Sequence, residues 1–162
     1  MKKLLFLVAG LLIAAAANAQ IQRPKLVVGL VVDQMRWDYL YYYNNEYGND
    51  GLKRLLNQGF SFENTHINYA PTVTAIGHSS VYTGSIPAFT GIAGNSFYQD
   101  DKSVYCCEDN TVKGVGSDSK EGQMSPRRML TSTIGDELQV ATDFRSKVIG
   151  VALKDRASIL PA

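Results

Sequence analysis

Thr74 is the hydroxyl in this chain best placed for chemistry, because PTVTAIGHSS, residues 71–80, reads as a short loop that turns straight into a helix. Upstream, FSFENTHINY, residues 60–69, spaces Phe60, Phe62, Ile67 and Tyr69 like the buried face of a strand, and Pro71 ends it. Downstream, residues 75–82 read as a helix with its stop at Thr83-Gly84. Thr74 thus falls at a helix N-terminus, where outward N–H groups and the helix dipole favour an anion such as a phosphate or a threonine alkoxide. The same position also suits plain N-capping, with Thr72 or Thr74 satisfying orphan N–H groups.

Three other places carry chemistry-bearing side chains. KLVVGLVVD, residues 25–33, is an aliphatic run ending in Asp33, which reads as a central parallel strand with its carboxylate at the C-terminal edge where ligands and metals bind. A turn or cap role for Asp33 weighs equally on local grounds. KVIGVAL, residues 147–153, reads as a second buried strand and delivers Lys154, Asp155 and Arg156 in succession. Two cations and a carboxylate there form either an oxyanion clamp or a set of solvated strand-end charges. Asn95 ends the loop of residues 85–94, which contains Pro87, Gly91 and Gly94, and reads locally as a turn residue.

The elements that must position these groups alternate strand and helix. A tyrosine-rich stretch with Tyr39, Tyr41, Tyr42, Tyr43 and Tyr47 packs on the sheet or rims a cleft. Asp50 is expected to cap a helix carrying Leu52, Leu55 and Leu56, closed by Gly59. Residues 99–123 read as a polar surface excursion or small hairpin holding Cys106 and Cys107, and pairing of one of these with a cysteine outside this chain is favoured over a strained vicinal bridge. Ser125-Pro126 is expected to open a helix that runs through Met129, Leu130, Ile134 and Leu138. SIL near the end has no closing helix after it, so the chain reads as an interrupted α/β domain.

At the N-terminus, Lys2 and Lys3, the apolar run of residues 4–17 and Ala17-Asn18-Ala19 have the form of a secretory signal peptide covering residues 1–19. The expected mature chain, residues 20–162, is then periplasmic or secreted. No later segment reaches the roughly 20 apolar residues of a membrane span, so no stable membrane insertion is expected after cleavage. Losing Lys2 and Lys3 takes 16 basic side chains to 14 against 15 acidic ones. That balance offers no basic field for nucleic acid.

Several motifs are incomplete. Gly77-His78-Ser79-Ser80-Val81 lacks the closing glycine of a serine-hydrolase elbow, Gly114 and Gly116 make no dinucleotide fingerprint, and there is no phosphate-binding GxxxxGK[ST] loop. His66 and His78 alone cannot assemble a histidine-rich zinc site.

Taken together, LVVGLVVDQMRWDYL, PTVTAIGHSSVYTG, GIAGN and VALKDRASILPA, in that order, closely resemble the alkaline phosphatase superfamily. Within it the resemblance is to the secreted bacterial phosphate-irrepressible alkaline phosphatases of the type I phosphodiesterase/nucleotide pyrophosphatase branch. It spans essentially the whole mature chain. It implies an α/β fold with a mostly parallel sheet and helices on both faces, incomplete in this chain as an N-terminal part of the catalytic domain.

The resemblance also implies an exported zinc-dependent phosphatase that hydrolyses small phosphate monoesters through a phosphothreonine, with two zinc ions per complete site. Asp33 would be a zinc ligand and Thr74 the nucleophile and a metal contact, while Asn95, Lys154 and Arg156 would hold phosphoryl oxygens. Two cations suit the dianionic charge of a monoester. The alternatives are a phosphodiesterase or nucleotide pyrophosphatase of the same fold and a secreted non-catalytic binding module. Two departures stand out. Thr90 occupies a position that is histidine in many relatives, and the remaining zinc ligands of the family lie beyond Ala162, since His66 and His78 do not match them. The chain by itself is therefore expected to be inactive.

Overall fold

The computed structural model describes residues 24–162. The signal-peptide expectation for residues 1–19 lies outside them. The chain divides into two compact units, Met1–Val31 and Val32–Ala162.

In the first unit, residues 26–31 form neither helix nor strand. Leu26, Val28 and Leu30 are largely exposed. The second unit holds a short α1 (Tyr39–Tyr42), α2 (Leu52–Gln58), α3 (Thr74–Thr83), α4 (Pro87–Thr90), a hairpin of β1 (Ser96–Gln99) and β2 (Lys102–Tyr105), a 3-10 turn at Lys120–Gly122, α5 (Ile134–Ala141) and α6 (Asp155–Ile159). The architecture is a partial α/β one, with six helices and a small antiparallel sheet among the described residues.

The expected parallel strands do not form. Among the described residues the sheet is the two-stranded antiparallel pair β1–β2, in register Ser96↔Tyr105 through Gln99↔Lys102. Segments 25–33, 60–69 and 147–153 carry no ladder, and Phe60, Phe62, Ile149 and Val151 are exposed. An apolar, β-branched run becomes a strand only when neighbouring strands accept and donate its backbone hydrogen bonds, and among the described residues no segment does so. The hairpin is local and needs no distant partner. Asp100 and Asp101 both take positive φ, 51° and 59°, so a two-residue turn of the twist that antiparallel strands favour closes it.

α3 is the organising element. It packs against α4, α5 and α6. Its buried residues are Ala75, Ile76, His78, Ser79 and Ser80; the Ser79 hydroxyl bonds back to its own helix, while Ser80 Oγ has no partner among the described residues. Ser79 Oγ donates to Ile76 O and Thr83 Oγ1 donates to Ser79 O. Small residues on that face let neighbours approach closely. As expected, Gly84 ends the helix in the left-handed region, at φ 64°.

The core gathers Ala75, Ile92, Cys106, Cys107 and Leu160, with Phe97, Tyr105, Met124, Met129 and Ile159 packed against it. Cys106 and Cys107 are therefore core residues and not part of a surface excursion. Both are free thiols with sulfurs 3.8 Å apart. The hydrogen bond shared with Cys106, followed by burial, pushes the Cys107 thiol up.

Three element boundaries differ from expectation. Gly51, at φ 65°, is the N-cap of α2 in place of Asp50, and the Gly59 N–H closes that helix on Leu55 O. Ser125-Pro126 makes a single turn, with Arg127 N–H on Ser125 Oγ and Met129 N–H on Pro126 O, and it goes no further because the Leu130 N–H, which would continue it, donates to Thr90 O. The helix proper, α5, starts at Ile134 behind Thr133. Thr133 Oγ1 accepts from the Asp136 N–H while the Asp136 carboxylate takes the Thr133 N–H, a complete capping box. SIL, read from the sequence as a short apolar run, forms the end of α6 and the fully buried Leu160.

Candidate active site at the N-terminus of helix α3

Three side chains from separated segments meet where α3 begins. Thr74 occupies its first residue, behind Val73 at the N-cap, and Val73 makes no side-chain cap bond. The Thr74 hydroxyl faces away from the helix and donates to Asp33 Oδ2 at 2.8 Å, across 41 residues of sequence. It is not spent on capping. Asn95 Oδ1 accepts the Ala75 N–H at 2.9 Å, satisfying one of the helix's orphan donors. That bond requires oxygen toward the helix, so the Asn95 amide nitrogen, with two N–H donors, is turned away from it.

The backbone around Asn95 is held as firmly as its side chain. The Cys106 N–H donates to Asn95 O at 3.0 Å, extending the hairpin by one rung. On the other side, the loop from α4 is tied by the fully buried Thr90: its hydroxyl accepts the Ile92 N–H and its carbonyl accepts the Leu130 N–H. Thr90 therefore orders the loop that leads to Asn95. Beneath the site, the buried His78 ring Nδ1 lies 2.9 Å from Thr74 O, fastening the first residue of α3 to its second turn.

Lys154 and Arg156 come in on α6, which packs against α3. Lys154 is the exposed N-cap residue of α6. Arg156 is mostly buried. Its Nη1 donates to the Tyr105 hydroxyl at 2.7 Å, and that hydroxyl donates to Asp155 Oδ1 at 2.7 Å. The hydrogen bond with Tyr105 holds the guanidinium above its ordinary pKa. Burial, followed by the bond to Asp155, pushes the Tyr105 phenol up to about 12.

The arrangement offers a hydroxyl already engaged with a carboxylate, a helix N-terminus, a fixed amide donor and, on a helix packed alongside, two cations. Such groups suit transfer of an anionic group to a hydroxyl oxygen. A metal finds two oxygen donors here, Asp33 and Thr74. Among the described residues no group of three His, Cys, Asp or Glu side chains converges.

Residues 27–154 match the family described as type I phosphodiesterase / nucleotide pyrophosphatase. The chain belongs to this family. Alkaline phosphatase PafA of Elizabethkingia meningoseptica is 60% identical over 158 residues, 96% of this chain and 29% of that protein. Alkaline phosphatase PhoV of Synechococcus elongatus is 55% identical over 175 aligned residues, 98% of this chain and 32% of that one. A protein of Myroides odoratus named calcium-transporting ATPase is 59% identical over 151 residues, 92% of this chain and 28% of its own length. The chain thus spans about a third or less of the curated relatives it matches. Among solved structures, wild-type PafA superposes with a TM-score of 0.84 at 60% identity, covering 88% of this chain and 28% of that one. A PafA variant with a threonine, an asparagine, a lysine and an arginine substituted gives 0.85 at 58% identity, with the same coverage.

Sequence reasoning did not single out Tyr105 or His78 as parts of the site. Tyr105 lies 50 residues from Asp155, and no local pattern announces such a pair. For His78 a signal was present: a histidine four residues after Thr74 on one helix can reach back to its carbonyl.

Proposed function

We propose that the protein is an exported zinc-dependent phosphatase that hydrolyses phosphate monoesters through a phosphothreonine at Thr74. The single observation that carries this reading is the Thr74–Asp33 hydrogen bond at the N-terminus of a buried helix, with Asn95 anchored beside it. The family and the alkaline phosphatases at 55–60% identity support it. So do the four residue types replaced in the PafA variant, which are those of Thr74, Asn95, Lys154 and Arg156. The calcium-transporting ATPase name of the third relative is compatible in part, since ATP hydrolysis also cleaves a phosphoryl group.

In this mechanism Asp33 holds the Thr74 hydroxyl in one orientation and favours loss of its proton. Thr74 Oγ1 forms the bond to phosphorus as the bond to the leaving oxygen breaks, and water then breaks the Thr74 ester. The α3 N-terminus and the Asn95 amide donate to non-bridging oxygens, and Lys154 and Arg156 meet the charge of the dianion. Zinc, held in part by Asp33 and Thr74, would supply Lewis acidity to the reacting oxygens. A zinc with three protein ligands needs donors beyond the two that the described residues bring together.

The test is phosphate release from a chromogenic monoester by protein made from its complete coding sequence. Turnover lost to a chelator and restored by zinc is expected. Zinc-independent turnover, or none with any monoester, would overturn the reading.

A further inference from the structure

We propose that Tyr105 is a positioning residue for the phosphate clamp: its hydroxyl stands between the Asp155 carboxylate and the Arg156 guanidinium and keeps that guanidinium available to a phosphoryl oxygen. The inference rests on the phosphatase reading for the role of Arg156 and on geometry for the role of Tyr105.

An arginine beside a carboxylate ordinarily closes on it in a fork of two hydrogen bonds, and this largely spends its charge. Asp155 and Arg156 are sequence neighbours on the first turn of α6, yet their nearest direct approach is 4.0 Å, at the outer limit of an ion pair. The phenol fills the gap. It gives its proton to Asp155 Oδ1 and a lone pair to Arg156 Nη1, each at 2.7 Å. The guanidinium carbon also lies 5.9 Å from the centre of the Tyr105 ring, within cation–π range. Arg156 Nε is buried with no acceptor, so among the described residues the phenol oxygen is the guanidinium's hydrogen-bond partner. One of its five N–H donors is committed, and the charge is not cancelled by a fork.

Tyr105 is itself well held for this task. It ends β2 opposite Ser96, is followed by the fully buried Cys106 and Cys107, and its carbonyl accepts from Arg128 Nε at 3.2 Å. The phenol, pushed up to about 12 by burial and then by Asp155, stays protonated at neutral and mildly alkaline pH. It therefore remains a donor to Asp155. Removing only the hydroxyl, as in Tyr105→Phe, frees Arg156 and Asp155 to close on each other.

The test uses protein made from the complete coding sequence, as parent, Tyr105→Phe, Asp155→Asn and the double variant. Affinity for inorganic phosphate is read by titration calorimetry, and kcat/KM is read on an aryl phosphate monoester and on a methyl aryl phosphodiester. Tyr105→Phe is expected to lower phosphate affinity and monoester kcat/KM by about tenfold, the scale of one hydrogen bond to a charged group, with a smaller loss on the diester. Adding Asp155→Asn should recover most of that loss, because a neutral amide cannot capture the arginine. A tyrosine that merely supports the fold would leave the double variant as poor as the single one or poorer. Unchanged phosphate affinity in Tyr105→Phe, or no recovery in the double variant, would overturn the inference. A parent that binds phosphate but hydrolyses neither ester sinks the phosphatase reading alone, and the affinities still decide the role of Tyr105. A parent with no phosphate affinity overturns both.

Discussion

Thr74 is separated from an ordinary helix-start threonine by where its hydroxyl goes. A capping hydroxyl accepts from the backbone of its own helix, and losing one costs about 1 kcal/mol of stability. Thr74 instead donates to Asp33. In protein made from the complete coding sequence, Thr74→Ala should therefore abolish monoester turnover with little change in thermal unfolding, while Thr74→Ser should keep some activity. Normal turnover in the alanine variant would return Thr74 to the role of a structural residue. Asp109 makes a contrasting case of a carboxylate used for structure. It is 5% exposed and accepts from Ser125, from the Thr111 hydroxyl and backbone, and from Arg127. These bonds, Ser125 first, hold its carboxyl well below the usual carboxylate range. A depressed folded-state pKa means stability that is present above the unfolded value, about 4, and is lost as pH falls below it. Asp109→Asn should flatten the acid limb of a pH–stability curve, measured by denaturant unfolding, and an unchanged limb would show that other carboxylates set it.

The loop between α4 and β1 delivers Asn95, and its conformation depends on Gly91. That residue sits at φ 75°, and a Cβ there would meet the Leu130 side chain at 2.9 Å and Arg128 O at 3.2 Å. Gly84, which ends α3, also has positive φ, 64°, but a Cβ would meet nothing within 4 Å. Both alanine variants carry the strain of a left-handed residue, on the order of 1 kcal/mol. Only Gly91→Ala adds a clash with the Leu130 side chain and a tight contact with the Arg128 carbonyl. It should lower the melting temperature more than Gly84→Ala and should also lower activity by shifting Asn95. Equal losses in the two would show that the Leu130 contact yields freely. The α3 turn, its Gly84 stop and the Asn95 loop were all legible in local sequence, because proline, glycine and threonine dictate backbone geometry within a few residues. The start of α5 was not. Ser125-Pro126 carries a cap-then-proline pattern and its cap bond from the Arg127 N–H forms, but the turn ends because the Leu130 N–H is taken by the carbonyl of Thr90, which is distant in sequence.

At the scale of the whole chain, the described residues bring together two oxygen donors and leave apolar segments uncovered. Leu26 and Val28 are 79% and 77% exposed in one unit, and Ile149 and Val151 are 79% and 88% exposed in the other. The 162-residue chain alone is expected to bind zinc weakly, to associate through these segments, and to release no phosphate from a monoester. Zinc titration, light scattering and a chromogenic assay check this. Zinc-dependent turnover by that chain, comparable with PafA, would require metal ligands not among those recognised. The sequence by itself determined the family, since four motifs in order carry it, and it determined the α3 turn and its Gly84 stop, which depend on near neighbours. Only the tertiary structure decided which apolar runs become strands, that Cys106 and Cys107 are core, and that Tyr105 stands between Asp155 and Arg156. Strand pairing, burial and hydrogen bonding across 50 residues all depend on partners distant in sequence, and a residue's type does not say which partner it will meet.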